Sequence, residues 1–308
     1  LSNTASGADA MTDPALPVPR IDAHQHFWRY QPEAYSWIGP GMEALARDHL
    51  PADLLPQLRA QRLDAAIAVQ ARGVREETDF LLDLAAAHDW IVGVVGWEDL
   101  HATDLEARLE ARSGEHKLVG FRHTVQDEPD VAAFLSDPAF EQGIALLQLW
   151  GFTYDVLVFG HQLAPAVDFC GRHDHHWLVL DHLGKPPLEA FERDAQALAR
   201  WRAALAPLKD MPHVACKLSG LLTEADWRKG VTARDVQHAR ECLDVALDVF
   251  GPTRVMFGSD WPVCQLAASY GTVYDVLHVW AEERLSATER VDLWGGNATR
   301  CYNLQLKA

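Results

Sequence analysis

The chain is poor in the patterns that build disulfide frameworks and cysteine-bound metal centres. Its five cysteines, Cys170, Cys216, Cys242, Cys264 and Cys301, are scattered, odd in number and without a CxxC pair. That set reads as reduced thiols, mostly in the core. Positive charge is also short. Lys and Arg number 27 against 44 Asp and Glu, a formal net charge of −17. This argues against a nucleic-acid partner but leaves room for an anionic substrate met by one local arginine. No apolar run approaches the roughly 20 residues of a membrane helix. No basic segment followed by an apolar core stands near the start. The expectation is a soluble cytoplasmic protein without nucleic-acid or membrane partners. GxGxxG and GxxxxGKS/T are both missing, so neither common nucleotide site is supported. G-x-S-x-G is missing too, which weakens a serine-hydrolase reading.

What the chain does have is tryptophan, eleven in 308 residues, mostly suited to core or interface. It also has eight short apolar runs, starting near residues 20, 65, 91, 118, 144, 177, 214 and 254. Helical periodicity fills the gaps and predicts helices over 51–62, 78–88, 102–112, 130–136, the segment after Pro138, 159–171, 191–205, 232–250, 270–284 and 287–294. Gly295-Gly296-Asn297 is expected to cap the last of these. Eight such units predict an α/β protein, a single-domain (β/α)8 TIM barrel over 19–308. Residues 1–18, small and polar with Pro14 and Pro17, predict a disordered leader, within which Met11 is a candidate natural start. Segment 28–48 carries Trp28, Tyr30, Tyr35 and Trp37 and is too long for a plain turn. It predicts a loop over the mouth of the barrel, with Trp28 or Trp37 against a ligand.

A barrel of this kind places its chemistry at the C-terminal ends of its strands. His24 and His26, at i and i+2 in Ile21-Asp22-Ala23-His24-Gln25-His26-Phe27-Trp28, share one strand face. Arg122 and His123 end the fourth run, with Gln126 just beyond. His182 follows the sixth, Lys217 lies near the end of the seventh, and Asp260 follows the eighth. Reading the fifth strand over 144–150 puts Trp150 and Tyr154 at the mouth.

IDAHQHFW, DHLGKP after the sixth run and FGSDWP after the eighth resemble motifs of the amidohydrolase superfamily. The resemblance covers roughly residues 19–305. It is strongest to the lactone-hydrolysing branch, which includes L-fuconolactonases, L-rhamnonolactonases and a pyrone-dicarboxylate lactonase. It implies that His24 and His26 face the reaction centre with His182, and that Asp260 activates water. The binuclear members carry a lysine at the end of strand four and a histidine after strand five. Here strand four ends in Arg122-His123, and 147–150 is Leu-Gln-Leu-Trp. A bridged pair of metals is therefore not expected. One divalent ion, zinc first, held by His24, His26 and Asp260 with water, suits the remaining ligands, and some members of the branch turn over without metal.

The expected reaction is opening of a sugar lactone, L-fucono-lactone or a related aldonolactone, by water that Asp260 deprotonates. Trp28, Trp150 and Tyr154 are expected to supply an apolar wall, and Arg122, His123, Gln126 and Lys217 polar contacts. Three other readings remain open: hydrolysis of a pyrone dicarboxylate, metal-dependent decarboxylation of an aromatic or unsaturated acid, and a non-enzymatic binding protein. A monomer or homodimer is expected.

Overall fold

The computed structural model describes residues 18–306, so the leader expected over 1–18 lies, Val18 apart, outside the described residues. Eight parallel strands follow in sequence order: β1 (Ile21–Gln25), β2 (Ala65–Val69), β3 (Ile91–Gly96), β4 (Leu118–His123), β5 (Thr153–Val156), β6 (Leu178–Leu180), β7 (Val214–Leu218) and β8 (Val255–Phe257). Helices run between them, which is the expected (β/α)8 barrel. The strands are buried almost throughout because both faces are covered, by the barrel interior on one side and helices on the other. The longest helix, Ala233–Phe250, starts at a capping box. Thr232 accepts from the Asp235 amide while the Asp235 carboxylate accepts from the Thr232 amide.

Two expectations fail. The run over 144–150 is not a strand. It is the second half of the helix Pro138–Leu149, which Asp137 caps through the amides of Ala139 and Phe140. A leucine-rich run of that length fits a buried helix as well as a strand, and the N-cap Asp with Pro at the first helical position decides it. The true β5 is shorter, and its central Asp155 is fully buried. Second, Gly295-Gly296-Asn297 does not stop a helix. The chain passes through a π turn at Asp292–Gly296 into a further helical turn, Asn297–Cys301. Gly295 is there for close approach, since a Cβ on it would lie 1.9 Å from the Pro19 carbonyl oxygen.

Ala23, Ile67, Val69, Val179, Ala215 and Met256 fill the barrel interior, and Tyr302 and Leu304 plug its lower end. The ring closes between β1 and the residues after β8. The Asp260 amide donates to the His24 carbonyl at 2.8 Å and the His26 amide to the Trp261 carbonyl at 2.7 Å. Behind this seam sits Asp22, on the helix-facing side of β1. Its carboxylate accepts from the Ser259 amide at 2.8 Å and from the Tyr270 hydroxyl at 2.9 Å. Burial pushes Asp22 up to about 6 despite these bonds.

Tyr270→Phe leaves one oxygen of that buried carboxylate without its donor, at a cost of about 1–3 kcal/mol. Thermal unfolding should show a lowered midpoint. An unchanged midpoint would mean the Tyr270 hydroxyl does not hold the seam.

Candidate active site

The first strand bulges at its C-terminal half, so that the step from Asp22 to Gln25 faces only the step from Ala66 to Ala68 on β2. The shift turns His24 and His26 together into the mouth. His24 is fully buried and its Nδ1 lies 3.2 Å from Asp181 and 3.1 Å from Lys217 Nζ. Its Nε2 lies 3.2 Å from Arg122 Nη1. Lysine and arginine only donate, and a neutral imidazole has a single acceptor. The carboxylate beside Nδ1 favours the proton there, so Nε2 accepts from Arg122. Burial, with Lys217 and His182 adding to it against Asp181, holds His24 well below the usual histidine range and keeps the ring neutral. Gly258 makes the site possible, because a Cβ there would stand 2.7 Å from that of His24.

His26 Nδ1 donates to the Val69 carbonyl at 2.8 Å, leaving Nε2 3.3 Å from Asp260 Oδ1. With the ring proton spent on Val69, a lone pair faces a carboxylate. That arrangement requires a proton or a cation between the two atoms. His182, on a loop with φ +53 after β6, is seated over Gly220, where a Cβ would lie 2.7 Å from its Nδ1. Its Nδ1 is 2.8 Å from Ser219 Oγ and its Nε2 3.9 Å from Asp260. Burial lowers His182 to about 4 although Asp260 and Asp181 oppose it. The carboxylate facing Nε2 favours the proton there, with Ser219 donating to Nδ1. Burial alone would raise Asp260, but its surroundings, His182 first, hold it below the usual carboxylate range. The charge stays on the carboxylate at neutral pH.

Beneath the histidines lies a buried ionic group not foreseen in the sequence. Asp181 pairs with Arg122 at 2.9 Å and Lys217 at 3.2 Å. Lys217 also meets Asp155, which accepts a bond from Tyr302 at 2.7 Å. The mouth above encloses about 320 Å³, lined among others by His26, Trp37, Arg122, Gln126, His182 and Asp260. Lys185, which also lines it, donates to Gln126 Oε1 at 2.7 Å.

Five candidates fall elsewhere. Lys217 is wholly enclosed under His24 and does not line the mouth. Trp28 is fully buried in the loop over the mouth, donating to the carbonyls of Leu45 and Arg47, and Trp37 takes the lining position. Tyr154 points into the helix layer against Phe140 and Phe169. Trp150 ends the helix before β5, at the opposite end of the barrel from the mouth. His123 faces outward, stacked on Phe134 and paired with Glu128 at 2.7 Å. The histidine that follows the true β5 is His161, which is exposed and stacked on Phe159. It does not reach the mouth.

The family model described as amidohydrolase matches residues 21–304. The chain belongs to the amidohydrolase family. An L-fucono-1,5-lactonase of Burkholderia multivorans is 60% identical over 92% of this amidohydrolase and 96% of that protein. An L-fucono-1,5-lactonase of Burkholderia ambifaria is 33% identical over 92% and 96%. The crystal structure of a Burkholderia multivorans amidohydrolase with bound Zn superposes with a TM-score of 0.90. It is 59% identical and covers 93% of this chain and 99% of that one.

Two buried groups of this amidohydrolase, among the described residues, have ligand atoms close enough for a metal ion, and they share His24. One is His24, His26 and Asp260, the other His24, Asp181 and His182. In the second, Asp181 is already committed to Arg122 and Lys217. The first fits a divalent ion, since the lone pair of His26 and the charge of Asp260 converge with nothing positive between them. Arg122 at His24 Nε2 occupies one ligand position and would have to give way.

His182 neutral and Asp260 ionised above pH about 5 predict a flat pH profile of kcat/KM from these two groups between pH 5 and 8. An inflection between pH 6 and 7 that disappears in His182→Asn would contradict the burial-driven state of His182.

Proposed function

We propose that this amidohydrolase opens a sugar lactone to its aldonic acid, with L-fucono-1,5-lactone the first candidate. The reading is carried by the convergence of Asp260 with His24, His26 and His182 over a mouth of about 320 Å³. The 60% identity to an L-fucono-1,5-lactonase over nearly its whole length supports it.

Asp260 takes a proton from water in the gap it shares with His182. The resulting hydroxide attacks the lactone carbonyl. His182 Nε2–H donates to the carbonyl oxygen as charge develops there. Arg122, which lines the same mouth, sets a second positive charge beside it. Collapse of the tetrahedral intermediate breaks the bond to the ring oxygen, and Asp260 returns its proton to that alkoxide. Attack and departure use one carboxylate, so no serine or cysteine nucleophile is required. The loop residue Trp37, 41% exposed, supplies an apolar wall, and Gln126 and Lys185 face the sugar hydroxyls.

A single divalent ion, zinc first, would be held by His24, His26 and Asp260. When bound it would polarise the carbonyl and acidify water. His182 as donor, with the charge of Arg122 beside it, can serve without the ion, which makes the ion dispensable in this reading. With Arg122 already paired to Asp181, Lys185 is the other cation lining the mouth, which suits a neutral lactone better than a dicarboxylate.

A pH-stat assay over fucono-, rhamnono-, galactono- and arabinono-lactones tests the reaction, run before and after chelation. Acid release well above the spontaneous rate, strongest on L-fucono-1,5-lactone, without carbon dioxide and retained by chelated protein, is expected. No acceleration of any of the four would overturn the assignment. Gas release with loss of activity on chelation would favour decarboxylation.

A further inference from the structure

Beside the catalytic mouth lies a larger cavity of about 740 Å³, walled by Phe159, the helix Ala197–Leu205 and the segment after β7. Lys185 lines both spaces and forms the partition between them. The larger space is no gap in the core, since its walls mix aromatic faces with polar groups. Trp201 is 3% exposed, yet its indole Nε1 finds no partner. Its ring edge borders Gly160, another lining residue, where a Cβ would stand 3.5 Å from Cδ1. That N–H lies beneath the wall, out of reach of solvent, so Trp201 adds apolar ring to the lining. Glu224 also lines the cavity and makes no side-chain hydrogen bond or ion pair among the described residues. Burial pushes its carboxyl up to about 7 against the pull of Lys185, so it can donate or accept. Arg228 stacks on Trp227 at 4.3 Å and has no carboxylate partner among the described residues.

Aromatic faces set among donors and acceptors are what a polyhydroxylated chain requires, with C–H groups on the rings and hydroxyls on the polar edges. A cation on the partition and another at the wall add a place for a carboxylate. We propose that this cavity is a second binding site, which takes the open-chain polyhydroxy carboxylate that the reaction releases. The carboxylate lies against Lys185, the hydroxyls meet Glu224, and the carbon chain runs along Trp227. The inference rests on the lactonase reading for the identity of its ligand. The product forms in the mouth on one side of Lys185, and the side cavity receives it on the other, which clears the mouth for the next lactone.

Equilibrium dialysis with radiolabelled L-fuconate counts sites on the intact protein. Two per chain are expected, together with a noncompetitive component when L-fuconate inhibits lactone hydrolysis. Ala204→Phe fills the cavity from the helix and should leave one site, abolish that component and keep kcat on the lactone. Glu224→Ala, which leaves the cavity open, should weaken the second site by about tenfold or more, the worth of a hydrogen bond to a charged group. One site per chain in the unaltered protein, or two sites insensitive to both substitutions, would overturn the inference. The two readings fail separately. A protein that hydrolyses lactones but binds one L-fuconate loses only the second site. A protein that hydrolyses none yet binds two loses only the reaction.

Discussion

Closure of the sheet is the constraint on which everything else depends. The bond from the Asp260 amide to the His24 carbonyl joins the last strand's exit to the first strand. The same bond sets the Asp260 carboxylate over the two histidines. The turn puts Asp260 at φ +58, in the left-handed region that aspartate and asparagine enter more readily than other side-chain-bearing residues. Asp22 supports that turn from behind through the Ser259 amide. One buried carboxylate on the outer face of β1 therefore positions another at the mouth. A polar group stays ordered in so dry a place only when donors surround it.

The second support is the ionic group under His24. Arg122, Lys217, Asp181 and Asp155 are all buried, with two charges of each sign. Charges so far from water persist only when paired and hydrogen-bonded. Their arrangement fixes the proton of His24 on Nδ1 and its lone pair on Arg122. The C-terminal segment takes part from the far end of the barrel, because Tyr302 plugs the interior and donates to Asp155. Through this chain of contacts the packing of the barrel floor reaches the chemistry at its mouth. It also sets a condition on metal binding, since an ion at His24 has to displace a guanidinium that already satisfies that nitrogen.

The ends of the barrel were readable in the sequence because they carry both pattern and chemistry. An apolar run entering HxH and another leaving through Gly-Ser-Asp-Trp-Pro place His24, His26 and Asp260 without any structure. The middle was not readable in the same way. Thr153–Val156 is short and carries a charged residue inward, while the preceding helix offers a longer apolar run, so hydrophobicity alone chose the wrong segment. Trp150 and Tyr154 were misplaced with it. The burial of Asp181 against Lys217 and Arg122 is not legible in the sequence either, because which side chains of a barrel strand point inward depends on bulges such as the one in β1. The only cue was the position of Asp181 directly before His182. Trp28 and Trp37 looked equivalent as loop aromatics. Only the folded loop separates the one whose indole bonds to Leu45 and Arg47 from the one left facing the mouth.

The central claim is that barrel closure makes Asp260 the group that carries the proton from water to the leaving oxygen. Asp260→Asn retains size and the backbone seam but performs neither transfer. The decisive measurement is kcat for lactone hydrolysis by this variant, with circular dichroism and metal content taken on the same sample. The account predicts a folded protein whose kcat falls by at least about 10². A folded variant with unaltered metal content and near-normal kcat would contradict it.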